Sequence, residues 1–254
     1  NHFDGVFHLA AQSHPPTSYE NPVLTFEINV MGTLYLIESI RNYSPDTRFM
    51  FCSSSEVYGD QCKDTGILDS LTPVLPANPY GVSKAAIDLF MQERMKGKFI
   101  KGFITRAFSH TGPRRGRNFS ISSDAYQLAK MVNGVQDKIL LVGNLKTKRA
   151  VLDVRDVARA YHMLMLTEES NGKIFNICDD KYYEMQYFTD LLIEASGLKE
   201  IEQKIYDKYY RPIDIEIQLG DSSLLKEITG WSKEIKIEDT MSDLLDYWIE
   251  KIKK

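Results

Sequence analysis

The stretch RFMFCSSSEVYG, from Arg48 to Gly59, begins as a short apolar run and ends in a polar turn. We interpret Arg48–Cys52 as a buried strand, with the serine cluster just beyond its carboxyl end. Further along the chain, NPYGVSK opens a helix in which Asn78 is a good N-cap and Pro79 suits the first helical position. The two segments together contain hydroxyl groups, a carboxylate, a phenol and an ammonium group, all of which one substrate could contact.

The alternation of strand and helix continues on both sides of this stretch. A buried strand is predicted at 4–10, and the spacing of apolar residues predicts a helix at 22–43. The other predicted elements are a helix at 79–95, strands at 99–104, 138–142 and 173–178, and helices at 121–133, 156–167 and 185–196. Strands that alternate with helices predict an α/β fold with a parallel sheet covered on both faces.

The composition limits the classes of function. The chain has 254 residues, 43% of them hydrophobic, which is enough for a substantial core. Its net charge of −4, with both signs interspersed, argues against a nucleic-acid partner. The spacings of Cys52, Cys62 and Cys178 fit no zinc motif, so we expect reduced thiols, no metal and a cytoplasmic location. No apolar run approaches the ~20 residues that span a bilayer and no signal peptide is visible, so no membrane partner is expected.

The beginning of the chain and the change after residue 107 concern its domain organisation. The chain starts close to its first predicted strand and contains no Gly-x-Gly-x-x-Gly loop. Either one or two βαβ units of about 30 residues or more each are missing, or the protein binds no dinucleotide. The motifs favour the first explanation. After residue 107 the loops lengthen and basic residues cluster, which indicates that 108–254 form mainly a substrate-facing lobe with returning sheet elements.

Tyr80 and Lys84 stand four residues apart and therefore share one face of the predicted helix. A free tyrosine has a pKa of about 10 and is a poor base at neutral pH. A nearby ammonium group and the positive end of the helix favour the phenolate, so this spacing predicts a usable proton acceptor. Because the chain holds 14 tyrosines, the pair could also occur by chance; the Asn-Pro start and the serine cluster favour catalysis.

The serine cluster lies where open parallel sheets bind their ligands. Ser54 or Ser55 could bond a substrate hydroxyl or carbonyl group, and Glu56 could take a proton from carbon. The alternative is an ordinary turn, since serine and glutamate suit loops and caps. In the loop after the first strand, small residues let a ligand approach the backbone, and His14 is expected to be a polar loop residue and not a metal ligand.

A second candidate binding loop follows the third strand and reads TRAFSHTGPRRG from Thr105 to Gly116. Arginines in a loop above a parallel sheet suit a diphosphate, which a guanidinium group can hold through two parallel hydrogen bonds. Arg149 and the Arg211-Pro212 pair could add to that clamp. A solvated basic loop is the alternative for each of them.

These residues together resemble one family. The resemblance is carried by Leu9-Ala10-Ala11, Asn29, the Ser53–Gly59 turn, Tyr80 with Lys84, and the stretch from Arg106 to Pro113. They resemble the extended short-chain dehydrogenase/reductases of the NAD-dependent epimerase/dehydratase family, which act on nucleotide sugars, over nearly the whole chain. GPRRG and the stretch from Arg211 to Asp221 are most similar to the GDP-mannose 4,6-dehydratase branch.

The resemblance implies a Rossmann-like doubly wound parallel sheet that lacks its first strands and carries a smaller carboxyl-terminal substrate-binding lobe. Residues 1–107 would be the remaining part of the dinucleotide-binding domain, and residues 108–254 mainly the lobe. The implied cofactor is NADP or NAD, and the implied partner is a nucleotide-diphosphate sugar. A homodimer or homotetramer is also implied.

The resemblance further implies a role for each site residue. Tyr80 takes the proton of the C4 hydroxyl group, which Ser54 holds, and Lys84 binds the nicotinamide ribose and lowers the tyrosine pKa. Glu56 removes the C5 proton, and Ser55 assists the loss of water from C6. Cofactor contacts would also come from Leu9, Ala10, Ala11, Ser13, Ser53, His110 and Arg115, and substrate contacts from Ser109, Arg149 and Arg211.

Some segments depart from this branch. It often has Asn where this chain has Ser109, and TMSDLLDYW at 240–248 and DVRD at 153–156 are equally similar to GDP-4-keto-6-deoxymannose reductases. Those reductases share the Tyr/Lys pair and can also carry glutamate in this turn. The expected activity is the conversion of GDP-mannose to GDP-4-keto-6-deoxymannose. The alternatives are that reductase, a nucleotide-sugar 4-epimerase, or a non-catalytic sugar-nucleotide-binding fragment.

Overall fold

The computed structural model describes residues 2–209 and 215–253. The first part of the chain contains β1 Gly5–His8, α1 Pro15–Glu20, α2 Pro22–Phe26, a π-helical turn Glu27–Met31, α3 Gly32–Tyr43, β2 Arg48–Cys52, a 3₁₀ turn Ser55–Tyr58, α4 Cys62–Thr65, α5 Pro79–Lys96 and β3 Gly102–Ala107. The second part contains β4 His110–Thr111, α6 Ser120–Val132, β5 Ile139–Val142, β6 Lys148–Arg149, β7 Leu152–Asp153, α7 Val154–Leu166, a 3₁₀ turn Glu168–Ser170, β8 Ile174–Ile177, β9 Tyr183–Glu184, α8 Met185–Ser196, β10 Glu202–Ile205, a 3₁₀ turn Asp207–Tyr209, β11 Ile217–Gln218, α9 Ser223–Thr229 and α10 Ile237–Lys253. Helices α1, α4, α9 and α10 were not among the predicted elements.

The central sheet is parallel and has the strand order β1-β2-β3-β8. Successive residues of β2 point to opposite faces, as the pleat of a strand requires. Phe49 and Phe51 pack against helices α3 and α5, whereas Met50 packs on the other face against α7 and α9. Helices therefore cover both faces, and the predicted α/β fold with a Rossmann-like parallel sheet is confirmed.

Strand β3 begins later than the strand predicted at 99–104. Phe99 remains exposed, and the chain joins the sheet only at Gly102. A Cβ atom at Gly102 would lie 2.0 Å from the carbonyl oxygen of Phe49, so the close approach of the two strands requires glycine at this position. The strand also ends later than predicted, at Ala107, so Arg106 belongs to the strand and not to the predicted binding loop.

The second part of the chain forms a smaller lobe and then returns to the sheet. Helices α6, α8 and α10 pack around a core next to β5, which pairs with β10. The core residues include Leu128, Leu140, Phe188, Leu192, Met241 and Leu244. Strand β8 and helix α7 rejoin the sheet. The division of the chain at residue 107 into a dinucleotide-binding part and a substrate-binding lobe stays a prediction.

A buried ion pair connects α5 to β3. Arg106 donates to both carboxylate oxygens of Asp88, from Nη2 at 2.8 Å and from Nε at 3.0 Å. Both side chains are almost completely buried. Arg106 also donates to the Tyr58 hydroxyl at 3.0 Å, and the Ser53 hydroxyl donates to Asp88 at 2.6 Å. Ser53 precedes the 3₁₀ turn Ser55–Tyr58 and Tyr58 ends it. The ion pair therefore connects this turn, which contains Glu56, to helix α5.

Among the described residues, the helical run Pro22–Tyr43 is long and apolar enough to cross a membrane by length and composition alone. The expectation that no apolar run approaches that length is therefore wrong by this test. Small and polar residues such as Asn29 and Gly32 interrupt this segment, so it contains no continuous apolar run in the sequence. The evidence for a span is weak, because one face of this run packs on the sheet core through Ile37 and Ile40.

Asp124 is a buried carboxyl group in the core of the lobe. It accepts a hydrogen bond from the Thr189 hydroxyl at 2.9 Å. Burial raises the pKa of Asp124 to about 7, and the bond from Thr189 opposes this rise only in part. The unfolded chain loses this proton near pH 4, so the stability that the protonated group contributes is present below about pH 4 and is lost as the pH rises through about 7.

We expect Asp124→Asn to reduce the loss of stability between pH 5 and pH 8. The wild-type free energy of unfolding should fall over this interval by roughly 2 kcal/mol more than that of the variant, because only the carboxyl group must ionise in the core. Urea unfolding at both pH values measures the difference. Asp246→Asn, on the exposed side of α10, is the control. Equal pH dependence of wild type and Asp124→Asn would contradict the prediction.

Candidate active site

A cavity of about 1420 Å³ lies at the carboxyl ends of the sheet strands, next to the lobe. Most of the predicted site residues line it together: Leu9, Ala11, Ser13, Ser53, Ser54, Ser55, Glu56, Tyr80, Lys84, Ser109, His110, Arg115 and Arg149. Ala10 is exposed and does not line the cavity, because the chain after β1 turns it towards solvent. Arg211, predicted to bind substrate, lies outside the described residues.

The three serines of the turn have different surroundings. Ser54 is the N-cap of the 3₁₀ turn and accepts a hydrogen bond from the Glu56 backbone at 3.2 Å. The same hydroxyl is close enough to the Tyr80 phenol to lower its pKa. Ser55 approaches Gln218, whereas Ser53 is turned away and donates to Asp88. Ser54 therefore lies beside the phenol. The side chain of Ser53 was predicted to contact the cofactor, but it supports the turn through its bond to Asp88.

Tyr80 lies in the first turn of α5, where the Asn78 side chain caps the helix through the Gly81 backbone at 2.8 Å. Its phenol reaches the cavity from a buried position. Burial raises the pKa of Tyr80; the bond with Ser54 and the charge of Arg115 act in the opposite direction. In the protein alone, desolvation of the phenolate outweighs the nearby positive charge, and the role of Tyr80 as a proton acceptor stays a prediction.

Lys84 lies one turn further along the same helix face. Its Nζ donates to the carbonyl oxygen of Cys52 at 2.8 Å and stands 5.1 Å from the centre of the Phe51 ring. Burial lowers the pKa of Lys84. The ammonium group is thus held at the end of β2, at the floor of the cavity.

Glu56 is held in place by a residue whose second role the sequence did not indicate. The Asn78 amide nitrogen donates to Glu56 Oε2 at 2.6 Å, while its oxygen caps helix α5. Asn78 therefore bonds at once to the carboxylate and to the helix that carries Tyr80 and Lys84. Glu56 stands 22 residues before Asn78, so no local sequence pattern indicates this link.

The loop after β1 is connected to the same helix by Asn29. Its side chain pairs with the backbone of Gln12 through two bonds of 2.8 and 2.9 Å and donates to Ser83 at 2.9 Å. Asn29 therefore ties the loop after β1 to helix α5. His14 bonds to Thr17 at 2.9 Å and to the backbone oxygen of Asn118 at 3.2 Å, as a polar loop residue would.

The residues at the strand ends fit the nicotinamide half of NADP or NAD. An ammonium group has three N–H donors, and within residues 2–209 and 215–253 Lys84 uses one of them, on Cys52. The remaining donors suit the neighbouring hydroxyl groups of a ribose. Leu9 and Ala11 add an apolar wall at the end of β1. The donor set is therefore one that a dinucleotide can use.

The loop after β3 contributes the opposite side of the cavity. The His110 ring bonds to the Phe108 carbonyl oxygen at 2.9 Å, and burial lowers the pKa of His110, which favours the neutral ring. Arg115 packs its guanidinium group 3.4 Å from the centre of the Phe119 ring. Both side chains face the cavity with Ser109, so this part of the predicted cofactor and substrate set is brought together.

The other predicted arginines differ in placement. Arg149 lines the cavity and donates to the backbone oxygens of Ile215 and Glu216 at 2.6 and 3.3 Å. Arg106 was expected in the diphosphate-binding loop, but it is buried in β3, because the strand extends to Ala107 and Asp88 neutralises it. Arg114 is exposed and does not line the cavity.

The cavity also contains polar residues that sequence reasoning missed. Cys52 Sγ lies 3.4 Å from the Tyr161 hydroxyl, and both face the cavity. Thr111, Arg117 and Gln218 are among the other polar residues that line it. Tyr161 and Gln218 come from α7 and β11, which are distant in sequence from the motifs, so no local pattern could have identified them.

Comparisons with known proteins agree with this geometry. A family model described as GDP-mannose 4,6 dehydratase matches residues 1–244. The GDP-6-deoxy-D-mannose reductase of Pseudomonas aeruginosa is 30% identical over 252 residues, which cover 99% of this chain and 82% of that protein. GDP-mannose 4,6 dehydratase 2 of Arabidopsis thaliana is 27% identical over 260 residues, with 99% and 67% covered. The structure of RMD from Pseudomonas aeruginosa complexed with NADPH has a TM-score of 0.90 at 29% identity and covers 98% of this chain and 82% of that one.

Substitutions of Asn78 should separate its two roles. Asn78→Ser and Asn78→Asp both keep an oxygen that can cap α5, but only the aspartate places a second carboxylate against Glu56. We expect Asn78→Asp to be less stable than Asn78→Ser by about 1 kcal/mol at pH 8 and equally stable near pH 4, where carboxylates gain protons.

Urea unfolding at the two pH values measures this difference. As the control, Glu56→Gln combined with each substitution should abolish it. If Asn78→Asp and Asn78→Ser differ equally at both pH values, the contact with Glu56 does not act through charge.

Proposed function

The chain belongs to the GDP-mannose 4,6 dehydratase family, and from this premise we propose that it is a lyase, a 4,6-dehydratase that converts GDP-mannose to GDP-4-keto-6-deoxymannose. It is an NAD(P)-dependent enzyme that acts on a nucleotide-diphosphate sugar. The position of Glu56 is the observation that carries the choice of dehydratase. Its carboxylate is held by Asn78 within the same turn as Ser54, whose hydroxyl meets Tyr80.

The roles of the residues follow from the chemistry of a hydroxyl-bearing ring. NADP or NAD, when bound, supplies the acceptor and later the donor of a hydride. Ser54 holds the C4 hydroxyl group, and Tyr80 takes its proton as C4 is oxidised to a ketone. The ketone makes the C5 proton acidic, and Glu56 removes it. Loss of the C6 hydroxyl group with a proton releases water, and Ser55 is the next hydroxyl along the turn. The hydride taken from C4 is then returned to C6 and a proton is returned to C5, which gives the 4-keto-6-deoxy product.

Proton acceptance by Tyr80 requires positive charge in the cavity. Burial raises the pKa of Tyr80, and Arg115 and the bond from Ser54 oppose that rise. The buried ammonium group of Lys84 lies on the same helix face, one turn away. We assign Lys84 to the ribose hydroxyl groups of the cofactor, and Leu9, Ala11, Ser13, His110 and Arg115 to its remaining contacts. Ser109, Arg149 and Arg211 are assigned to the substrate.

A reductase that acts at C4 alone is the second candidate. The relative of 30% identity is a GDP-6-deoxy-D-mannose reductase, and a reductase would use Tyr80 and Lys84 in the same places. It would have no task for a carbon base, so Glu56 would serve only to position other groups. All three cysteines are free thiols, which suits the cytoplasmic location that we propose for either enzyme.

The fate of the C5 hydrogen distinguishes the two candidates. We expect the full-length enzyme, incubated with GDP-mannose in deuterated water, to form a product that carries deuterium at C5, because Glu56 exchanges its proton with solvent before the proton returns. Nuclear magnetic resonance of the product measures the label. A reductase never breaks this C–H bond, and a product without deuterium at C5 would overturn the dehydratase proposal.

Glu56→Gln is the matched variant for this experiment. It keeps the size of the side chain and a hydrogen-bonding group for Asn78, but it cannot take the C5 proton. Oxidation at C4 should continue, so the near-ultraviolet absorbance of reduced cofactor should accumulate while turnover falls by about 100-fold or more. Tyr80→Phe, in contrast, should prevent even the first oxidation. A Glu56→Gln enzyme with nearly normal turnover would assign this residue to positioning.

We also infer that two copies of this chain associate through an apolar surface on the helices. Leu24, Ile28, Met31 and Tyr35 recur at helical spacing on one exposed face of the run Pro22–Tyr43. Exposed Val82 and Leu89 lie on the adjacent helix α5. A surface of this kind is typical of a permanent interface between subunits.

Charged substitutions on this surface should dissociate the dimer. We expect Ile28→Glu and Leu89→Glu to shift the sedimentation coefficient from that of a dimer to that of a monomer, because each would bury an unpaired charge in the interface. Leu71→Glu, at an exposed leucine in the loop before α5, is the control and should leave the dimer intact. A wild-type protein that sediments as a monomer at micromolar concentration would contradict the inference.

A further inference from the structure

Gln218 is a buried amide at the edge of the active-site cavity. It lies in β11, where it pairs with Arg149 of β6, and its side chain is only 2% exposed. Its backbone oxygen accepts a hydrogen bond from the Ala150 backbone at 3.3 Å. These bonds fix the strand, so the side chain must stay at this edge of the cavity.

The amide group of Gln218 has unused hydrogen-bonding capacity. Its oxygen lies 3.4 Å from the Ser55 hydroxyl, which is longer than an ordinary hydroxyl hydrogen bond. Its nitrogen has no partner among the residues that the structure describes. A buried amide nitrogen without a partner is costly to a fold, since most buried polar groups are satisfied. A ligand in the cavity that this residue lines would supply the partner.

The neighbours of Gln218 indicate which part of the ligand it meets. In the proposed function, Ser54 and Tyr80 contact the oxygen at C4, and Glu56 removes the proton at C5. The C6 hydroxyl group is then the remaining oxygen on the reacting edge of the sugar. Ser55 is the remaining hydroxyl of the turn, and Gln218 is the side chain that it approaches.

We propose that Gln218, together with Ser55, binds the C6 hydroxyl group of the hexose and makes the enzyme select 6-hydroxy over 6-deoxy sugar nucleotides. This rests on the proposed function and deepens it. The amide nitrogen donates to the C6 oxygen, and the Ser55 hydroxyl approaches the same oxygen. A 6-deoxy sugar presents a methyl group there and leaves the amide unpaired. A site that is built to hydrogen-bond a substrate hydroxyl group strongly rejects the analogue that lacks it. Gln218 is therefore a specificity-determining residue.

The test compares three ligands in the full-length protein with the Tyr80→Phe substitution, which prevents turnover. Calorimetric titration gives the dissociation constants of GDP, GDP-mannose and GDP-6-deoxy-mannose. We expect GDP-mannose to bind about 10-fold or more tightly than the 6-deoxy compound. Adding Gln218→Leu should weaken the binding of GDP-mannose by the same factor and remove the preference over the 6-deoxy compound. The dissociation constant of GDP should stay unchanged.

Each outcome has a defined meaning. The control Thr111→Val removes another buried hydroxyl without a partner from the same cavity and should keep the preference. Equal binding of the two sugar nucleotides before any change at Gln218 overturns the proposal, and this measurement does not depend on whether the Gln218→Leu protein folds. A preference that survives Gln218→Leu, or that Thr111→Val also removes, overturns it as well. If neither sugar nucleotide binds, the proposed function itself fails.

Discussion

The buried ion pair between Arg106 and Asp88 is the constraint on which the active site depends. Two charges in the core are expensive, and they are tolerated only when each hydrogen bond is made. Here the guanidinium group binds both oxygens of the carboxylate and also Tyr58, and Ser53 donates to the same carboxylate. The four bonds fix one geometry of the elements that carry these side chains. The arrangement is that of the turn Ser55–Tyr58 against helix α5.

One face of helix α5 carries both the anchoring carboxylate and the proposed catalytic side chains. Tyr80, Lys84 and Asp88 recur at intervals of four residues on α5, so a helix that is anchored at Asp88 also fixes the phenol and the ammonium group. Asn78 adds a second anchor at the helix start through its bond to Glu56. The proposed acid and base groups are thus held by connections between two elements, as preorganised catalysis requires.

Burial has opposite consequences for the two partners of the Tyr-Lys pair. It raises the pKa of Tyr80 and lowers the pKa of Lys84, so each group is shifted towards its neutral form. A proton acceptor in this cavity therefore depends on the positive charge that faces it, which includes Arg115. Burial also makes a polar group without a hydrogen-bond partner costly, whereas in water the same group would bond to solvent. The amide nitrogen of Gln218, which has no partner within the described part of the chain, therefore indicates a ligand contact.

The sequence by itself determined the alternation of strands and helices, the strand Arg48–Cys52 and the helix start at Asn78, because these depend on local periodicity and capping. It also determined that Ser54, Glu56, Tyr80 and Lys84 meet, since parallel strands bring their carboxyl ends to one edge. Only the tertiary structure decided that Arg106 is a core residue, because its burial depends on the extension of β3 to Ala107 and on the ion pair with Asp88. The same holds for Asn78 with Glu56 and for Ser55 with Gln218. These contacts join elements that no periodicity relates, and the pKa of Tyr80 depends on burial that only the packed fold creates.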